Sequence, residues 1–296
     1  MNVPATHART HPARDPQSHA PGPDQLPELA HSRGEVDNLQ FERMVQQHRE
    51  RHLAISGQDV GAAGRTDGFG ALKHLLHTPY VPRADDWQGD PELVVAADPF
   101  SPQAEIFREL RTQLLARAQA RSTRAALAVI SPERGDGRSY VAANLAVCLG
   151  QLGGRTLLIE ADLRSPRLQG LLGPHDGVGL SSILGGQVDA LPLRQAPGLP
   201  GLFFIPAGDV PPNPVDLLQG SRFSLLLHEM LSKFDHVVLD SPADALGGDA
   251  RLIAAKAGAA LVVGRKGQSS ISTLRQLLGR LENGPAEVAG VLLNQH

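Results

Sequence analysis

The chain has 296 residues, 41% of them hydrophobic, and a formal net charge of −3 at pH 7. That length can bury a sizeable core as one large domain or two ordinary ones, and the near-balanced charge excludes an overall pull toward nucleic acid or an anionic membrane. A single cysteine, Cys148, leaves no disulfide framework and no zinc-ligand spacing. No apolar run reaches the length of a membrane span, and the start "MNVPATHARTHPARDP" lacks the apolar centre of a secretory signal, so a cytoplasmic protein is expected.

Residues 1–98 are rich in Pro, Gly, His, Gln and Asp with little sustained periodicity, the composition of a long, mostly disordered arm. Eight histidines lie here (His7, His11, His19, His31, His48, His52, His74 and His77), but their irregular spacing without a Cys or acidic cluster favours solvated residues over a metal site. Two segments, "DNLQFERMVQQHRE" and "FGALKHLLHTPY", have helical apolar spacing and are candidate docking elements.

From residue 99 the texture changes. "AALAVIS", "RTLLIEAD", "LFFIPAG", "HVVLDSP", "AALVVGRKG" and "EVAGVLLNQ" read as strands, separated by helical patterns such as "RSYVAANLAVCLGQLG", "SRFSLLLHEMLSKF", "DARLIAAKAG" and "ISTLRQLLGRLEN". Continuous apolar strands imply burial on both faces, hence an α/β domain over 99–296: a mostly parallel sheet sandwiched between helices. Ligands in such sheets bind beyond the carboxyl ends of the strands, so the residues just after each strand carry the functional reading.

After the first strand comes "SPERGDGRSY", a phosphate-loop pattern altered at two places: Pro132 stands at the first glycine and Arg138 at the lysine. Gly135 and Gly137 let backbone N–H groups converge on a phosphate at a helix N-terminus. Arg138 keeps the positive charge in a bulkier planar fork, and Ser139 offers a hydroxyl to Mg²⁺. The second strand ends in "LLIEADLRSP", where Glu160 and Asp162 can hold Mg²⁺, orient an attacking hydroxyl, or cap the following helix. "HVVLDSP" closes on Asp240, the arrangement of a Walker B aspartate.

The ordered series "SPERGDGRS", "LLIEADLRSP", "PAGDVPPNPVDLL" and "VVLDSPAD" resembles the bacterial tyrosine kinases of exopolysaccharide synthesis, most closely their chain-length-determinant (EpsG-like) branch. That family belongs to the deviant Walker group of P-loop proteins, with the MinD- and ParA-like septum-placing and plasmid-partitioning ATPases. The resemblance covers about residues 99–294. It implies an ATP- and Mg²⁺-dependent protein-tyrosine kinase. Gly135, Asp136, Gly137, Arg138, Ser139 and Tyr140 would form the nucleotide loop, Asp162 would be the catalytic carboxylate, and Asp240 would support the metal with Ser139 and Glu160. Asn294 matches the position where relatives contact the adenine, and Asp249 is expected to cap a helix.

"EIFRELR" matches the family's E-x-x-R-x-x-R, placing Glu105, Arg108 and Arg111 on one helical face. In the family this helix joins subunits into a ring, and the partner is a transmembrane polysaccharide chain-length regulator. Four departures stand out: Arg138 for lysine, Glu160 for the usual aspartate, Tyr140 for threonine, and no tyrosine-rich tail before His296. Tyr80 and Tyr140 are the only tyrosines, which makes Tyr80 the candidate phosphoacceptor. The alternative is a catalytically degenerate nucleotide switch or scaffold for the membrane regulator. A partitioning-type ATPase would carry a further lysine where Glu133 stands.

Overall fold

The computed structural model describes residues 90–119, 125–173, 177–188, 193–196 and 198–295. The two candidate docking segments, the eight arm histidines and Tyr80 lie outside the described residues.

All six expected strands form: β1 (Ala126–Ile130), β2 (Thr156–Glu160), β4 (Leu202–Ile205), β5 (His236–Asp240), β6 (Gly258–Arg265) and β7 (Glu287–Asn294). A two-residue strand, β3 (Arg194–Gln195), adds an antiparallel edge too short to leave a pattern in the sequence. The sheet runs β3-β4-β2-β5-β1-β6-β7, and every pairing except β3 with β4 is parallel.

The apolar strands divide their side chains between two cores, as period-two geometry requires. Ala126, Ala128 and Ile130 of β1 and Val237 and Leu239 of β5 enter one core, while Val129 and Val238 enter the other. The first core is closed by α5 (Leu180–Gly185), α6 (Pro214–Gln219), α7 (Ser221–Lys233), α8 (Asp249–Ala257) and α9 (Ile271–Glu282). The second is closed by α1 (Val94–Ala97), α2 (Pro102–Gln119), α3 (Arg138–Gly150) and α4 (Leu168–Leu172). Neither α5 nor α6 was expected; helices of about six residues are too short to establish a 3.6-residue period.

Helix α3 is buried on all sides from Val141 to Leu149, because the sheet covers one flank and α1 and α2 the other. Cys148 lies within it, and burial pushes its thiol pKa up, the environment of an unreactive core cysteine.

Residues 90–98, assigned to the arm by composition, correct the domain boundary. Leu93 and Val95 are fully buried. Asn144 of α3 fastens them: its Oδ1 accepts from Val95 N at 3.2 Å, and its Nδ2 donates to Glu92 O at 2.8 Å. Two buried apolar residues in a proline- and acid-rich stretch were too few to register as a pattern.

The strand order sets β2, β5 and β1 side by side. Their carboxyl ends, with the segments that follow, form the crevice where the expected site residues converge.

Candidate functional site

The segment joining β1 to α3 is held from several directions. Asp136 turns inward: Oδ2 accepts from Glu133 N at 2.9 Å and Oδ1 from Ser269 Oγ at 2.6 Å. Arg265 Nη1 donates to Gly135 O at 3.1 Å, and Asn294 Nδ2 to Asp136 O at 3.1 Å. Gly137 has φ +94°, a conformation that favours glycine, and a Cβ there would run into the Asn294 side chain. Asn294 therefore packs on the loop at the end of β7, and the Asp136 carboxylate shapes the loop rather than facing a ligand.

Arg138 opens α3 and is buried beneath the loop. Its Nε donates to Ser241 O at 2.9 Å, and its Nη1 to Glu133 O at 2.7 Å and to Ser131 Oγ. Burial lowers its pKa, against the opposing pull of Asp240, Asp162 and Asp136. The bulk that distinguishes arginine from lysine is used to tie the β1 and β5 loops together.

Asp240 ends β5 with its side chain fully buried. Neither carboxylate oxygen has a hydrogen-bond partner, although the Ser139 hydroxyl lies beside it. Desolvation pushes its pKa up to about 7, against the influence of Ser139 and Arg138, and Glu160 and Asp162 add to the rise. A buried carboxylate left unsatisfied beside a hydroxyl is a ready cation ligand.

Glu160 has the same burial and the opposite circumstances. Its Oε1 accepts from Arg167 N at 2.5 Å and Leu168 N at 2.6 Å, and its Oε2 from Ala207 N at 3.3 Å. This carboxylate holds the start of α4 and anchors the segment after β4, the capping arrangement that its place at the end of β2 allows. Burial raises its pKa despite those three N–H groups.

Asp162 lies two residues beyond β2. Its Oδ1 accepts from Arg164 N at 3.1 Å and Ser165 N at 2.9 Å, fixing the turn on which it stands. Among the described residues no group of three or more His, Cys, Asp or Glu side chains has metal-site geometry. The donors that remain, the Asp240 carboxylate, the Ser139 hydroxyl and Asp162, fit Mg²⁺, which keeps several waters and takes further ligands from phosphates.

Two further expectations change. Tyr140 faces away from the loop: its ring meets Phe107 of α2 edge-on, with centroids 5.7 Å apart, so it neither crowds nor binds a nucleotide from this position. Asp249 starts α8 but makes no side-chain cap; it pairs with Arg164 at 2.7 Å. On α2, Arg108 pairs with exposed Glu105 at 2.8 Å and also donates to Pro99 O, while Arg111 Nη1 donates to Cys148 O at 2.9 Å near the end of α3. The supporting residues Ser241, Arg265 and Ser269 were missed, having no motif of their own.

Comparison with known proteins places this geometry. No family model matches the chain. The tyrosine-protein kinase Wzc of Salmonella typhimurium is 33% identical over 204 residues, 69% of this chain and 28% of Wzc. Tyrosine-protein kinase CpsD of Streptococcus agalactiae is 29% identical over 192 residues, 64% of this chain and 82% of CpsD. The kinase domain of Escherichia coli tyrosine kinase ETK superposes with a TM-score of 0.66 at 27% identity, covering 72% of this chain and 83% of that domain.

The chain belongs to the bacterial tyrosine kinase family. It spans about a quarter of the length of the Wzc-type relatives. Within the family frame, the chain's departures from the usual pattern acquire physical meaning. Arg138 is absorbed into the wall of the site, Glu160 into its floor and Tyr140 into the packing of α2.

Proposed function

We propose that the chain is an ATP- and Mg²⁺-dependent protein-tyrosine kinase regulating chain length and export in exopolysaccharide biosynthesis. The observation that carries this reading is the Asp240 carboxylate, buried and without a hydrogen-bond partner beside Ser139, at the mouth of a preformed glycine loop.

Phosphoryl transfer needs positioning and charge rather than covalent help from the protein. Mg²⁺, if bound here, would offset charge on the β- and γ-phosphates. Ser139, Asp240 and Asp162 would hold it. Arg138, with the loop N–H groups of Gly135 to Ser139 and the N-terminus of α3, would receive the phosphates, and Asn294 would border the base. Asp162 would accept a hydrogen bond from the incoming tyrosine hydroxyl, and Tyr80 is the candidate acceptor in the chain.

Exposed Glu105 and Phe100, the latter 95% exposed, with half-buried Arg108 between them, suit contact with a second copy in a ring. Among the described residues no helix is long and apolar enough to cross a membrane. Recruitment from the cytoplasm would come through a transmembrane chain-length regulator.

The test is to incubate the purified chain with Mg²⁺-ATP and the cytoplasmic segment of the regulator, and to map phosphotyrosine by mass spectrometry. Phosphate on Tyr80 or on the partner supports the kinase. Bound nucleotide without any phosphotyrosine would refute transfer and leave a nucleotide switch.

A further inference from the structure

The segment between β2 and α4 carries Asp162, and its position depends on two neighbours. Asp162 Oδ1 is held by the N–H groups of Arg164 and Ser165, so wherever those residues are fixed, Asp162 is fixed too. Both are anchored by their side chains. Arg164 Nε donates to Asp249 Oδ2 at 2.7 Å and its Nη2 to Asp249 Oδ1 at 3.3 Å, a two-pronged fork. Ser165 Oγ accepts from Arg134 Nη2 at 2.6 Å on the exposed flank.

These anchors differ in weight. The Asp249 side chain is 2% exposed and Arg164 34%, whereas the Arg134–Ser165 bond lies in solvent and a water-exposed contact holds less firmly. A carboxylate so deeply buried is costly unless its geometry is used. Asp249 stands in the first turn of α8, one residue past its N-cap, and Arg164 is the partner that both its oxygens meet. Its place in the chain supplies the use. It begins the helix that follows β5, nine positions after Asp240.

We propose that Asp249 is a positioning residue of the phosphoryl-transfer site: through Arg164 it fixes Asp162 relative to Asp240. The inference rests on the kinase reading for its kinetic consequence and on geometry alone for its structural one. The ion pair ties the segment after β5 to the segment after β2, so the two carboxylates are set against each other from outside the crevice. Displacement of a reacting group by about 1 Å costs on the order of a hundredfold in rate.

The test uses the full chain with D249A, R164A and R164K, and with R251A as a control that removes a different ion pair of the same helix. D249A and R164A should lower kcat roughly 10- to 100-fold with a clearly smaller loss in KM for ATP and in calorimetric affinity for Mg²⁺-ADP, because Ser139, Asp240 and the loop N–H groups stay in place. R164K, with charge but no fork, should fall between, and R251A should match the wild type. Hydrogen exchange of the 162–167 amides should be faster in D249A without nucleotide. Where D249A fails to fold, D249N of the same size replaces it.

Full kcat in folded D249A, parallel loss of kcat and Mg²⁺-ADP affinity, or an equal loss in R251A would each overturn the proposal. Absence of phosphoryl transfer in the wild type would instead refute the kinase reading. The exchange measurement then decides alone: unchanged protection in D249A overturns the positioning role, and faster exchange upholds it.

Discussion

Glu160 and Asp240 are neighbours on paired strands, opposite one another in register, both acidic and both fully buried. One accepts three backbone N–H groups and the other accepts none. Burial of a carboxylate therefore does not by itself mark a reacting group; what distinguishes the two is satisfaction. A saturated buried carboxylate stabilises the fold around it, whereas an unsatisfied one costs stability and is retained for what it can bind.

The sharpest way to test that contrast is to remove Asp240. D240N should lower phosphoryl transfer by about 10²- to 10³-fold, because the metal loses a charged ligand where phosphate charge develops. The same change should leave the urea midpoint at pH 8 unchanged or higher, since it deletes an ionised group that the fold leaves unpaired. A mutant that lost rate and stability together would place Asp240 with Glu160.

E160A should behave in the opposite way. It strands the N–H groups of Arg167, Leu168 and Ala207 at a helix start and a strand end, a loss of roughly 3–5 kcal/mol in urea unfolding. Where the protein still folds, E160Q should recover part of this through its single carbonyl. Little destabilisation in E160A would mean that these bonds are not what holds the floor of the site.

The two carboxylates were equally readable as positions and equally opaque as roles. Each closes an apolar run, so the sequence located both at strand ends facing one crevice. It could not separate them, because the partners that decide their roles are remote: Ala207 is 47 positions from Glu160. Arg138 shows the same limit. Its charge was legible, but its bond to Ser241 O spans 103 positions and depends on β5 lying beside β1. Local signals such as the glycines, the capping option at Glu160 and the parallel sheet needed only short-range or periodic information and were recoverable. The strap at 90–95 and helices α5 and α6 were too short for any period.

Titration offers a smaller effect with a definite sign. Asp240 has a pKa of about 7 in the fold against an ordinary 3.8, so between those values the native state binds the extra proton. Its contribution must therefore weaken stability as pH rises through that window, by on the order of 2 kcal/mol between pH 5 and pH 7. Glu160, also raised, acts in the same direction. Urea unfolding of metal-free protein should show D240N with a shallower decline than wild type over this range. Identical pH slopes would mean that Asp240 is solvated and ordinary.

Tyr140 supplies the smallest expected effect and the complement of the argument. It directly follows Ser139 in the loop motif, yet its ring lies against Phe107 on the far side of α3, and burial raises its hydroxyl pKa. Y140F keeps the ring and its edge-on contact, so Mg²⁺-ADP affinity should stay within about twofold and stability within roughly 1 kcal/mol. Y140A should leave affinity similarly intact while costing less than the roughly 3–5 kcal/mol of a fully buried aromatic ring, because Tyr140 is only partly buried. A large affinity loss in Y140F alone would show that the hydroxyl reaches the nucleotide, and that adjacency in the motif outweighs the direction in which the helix turns the side chain.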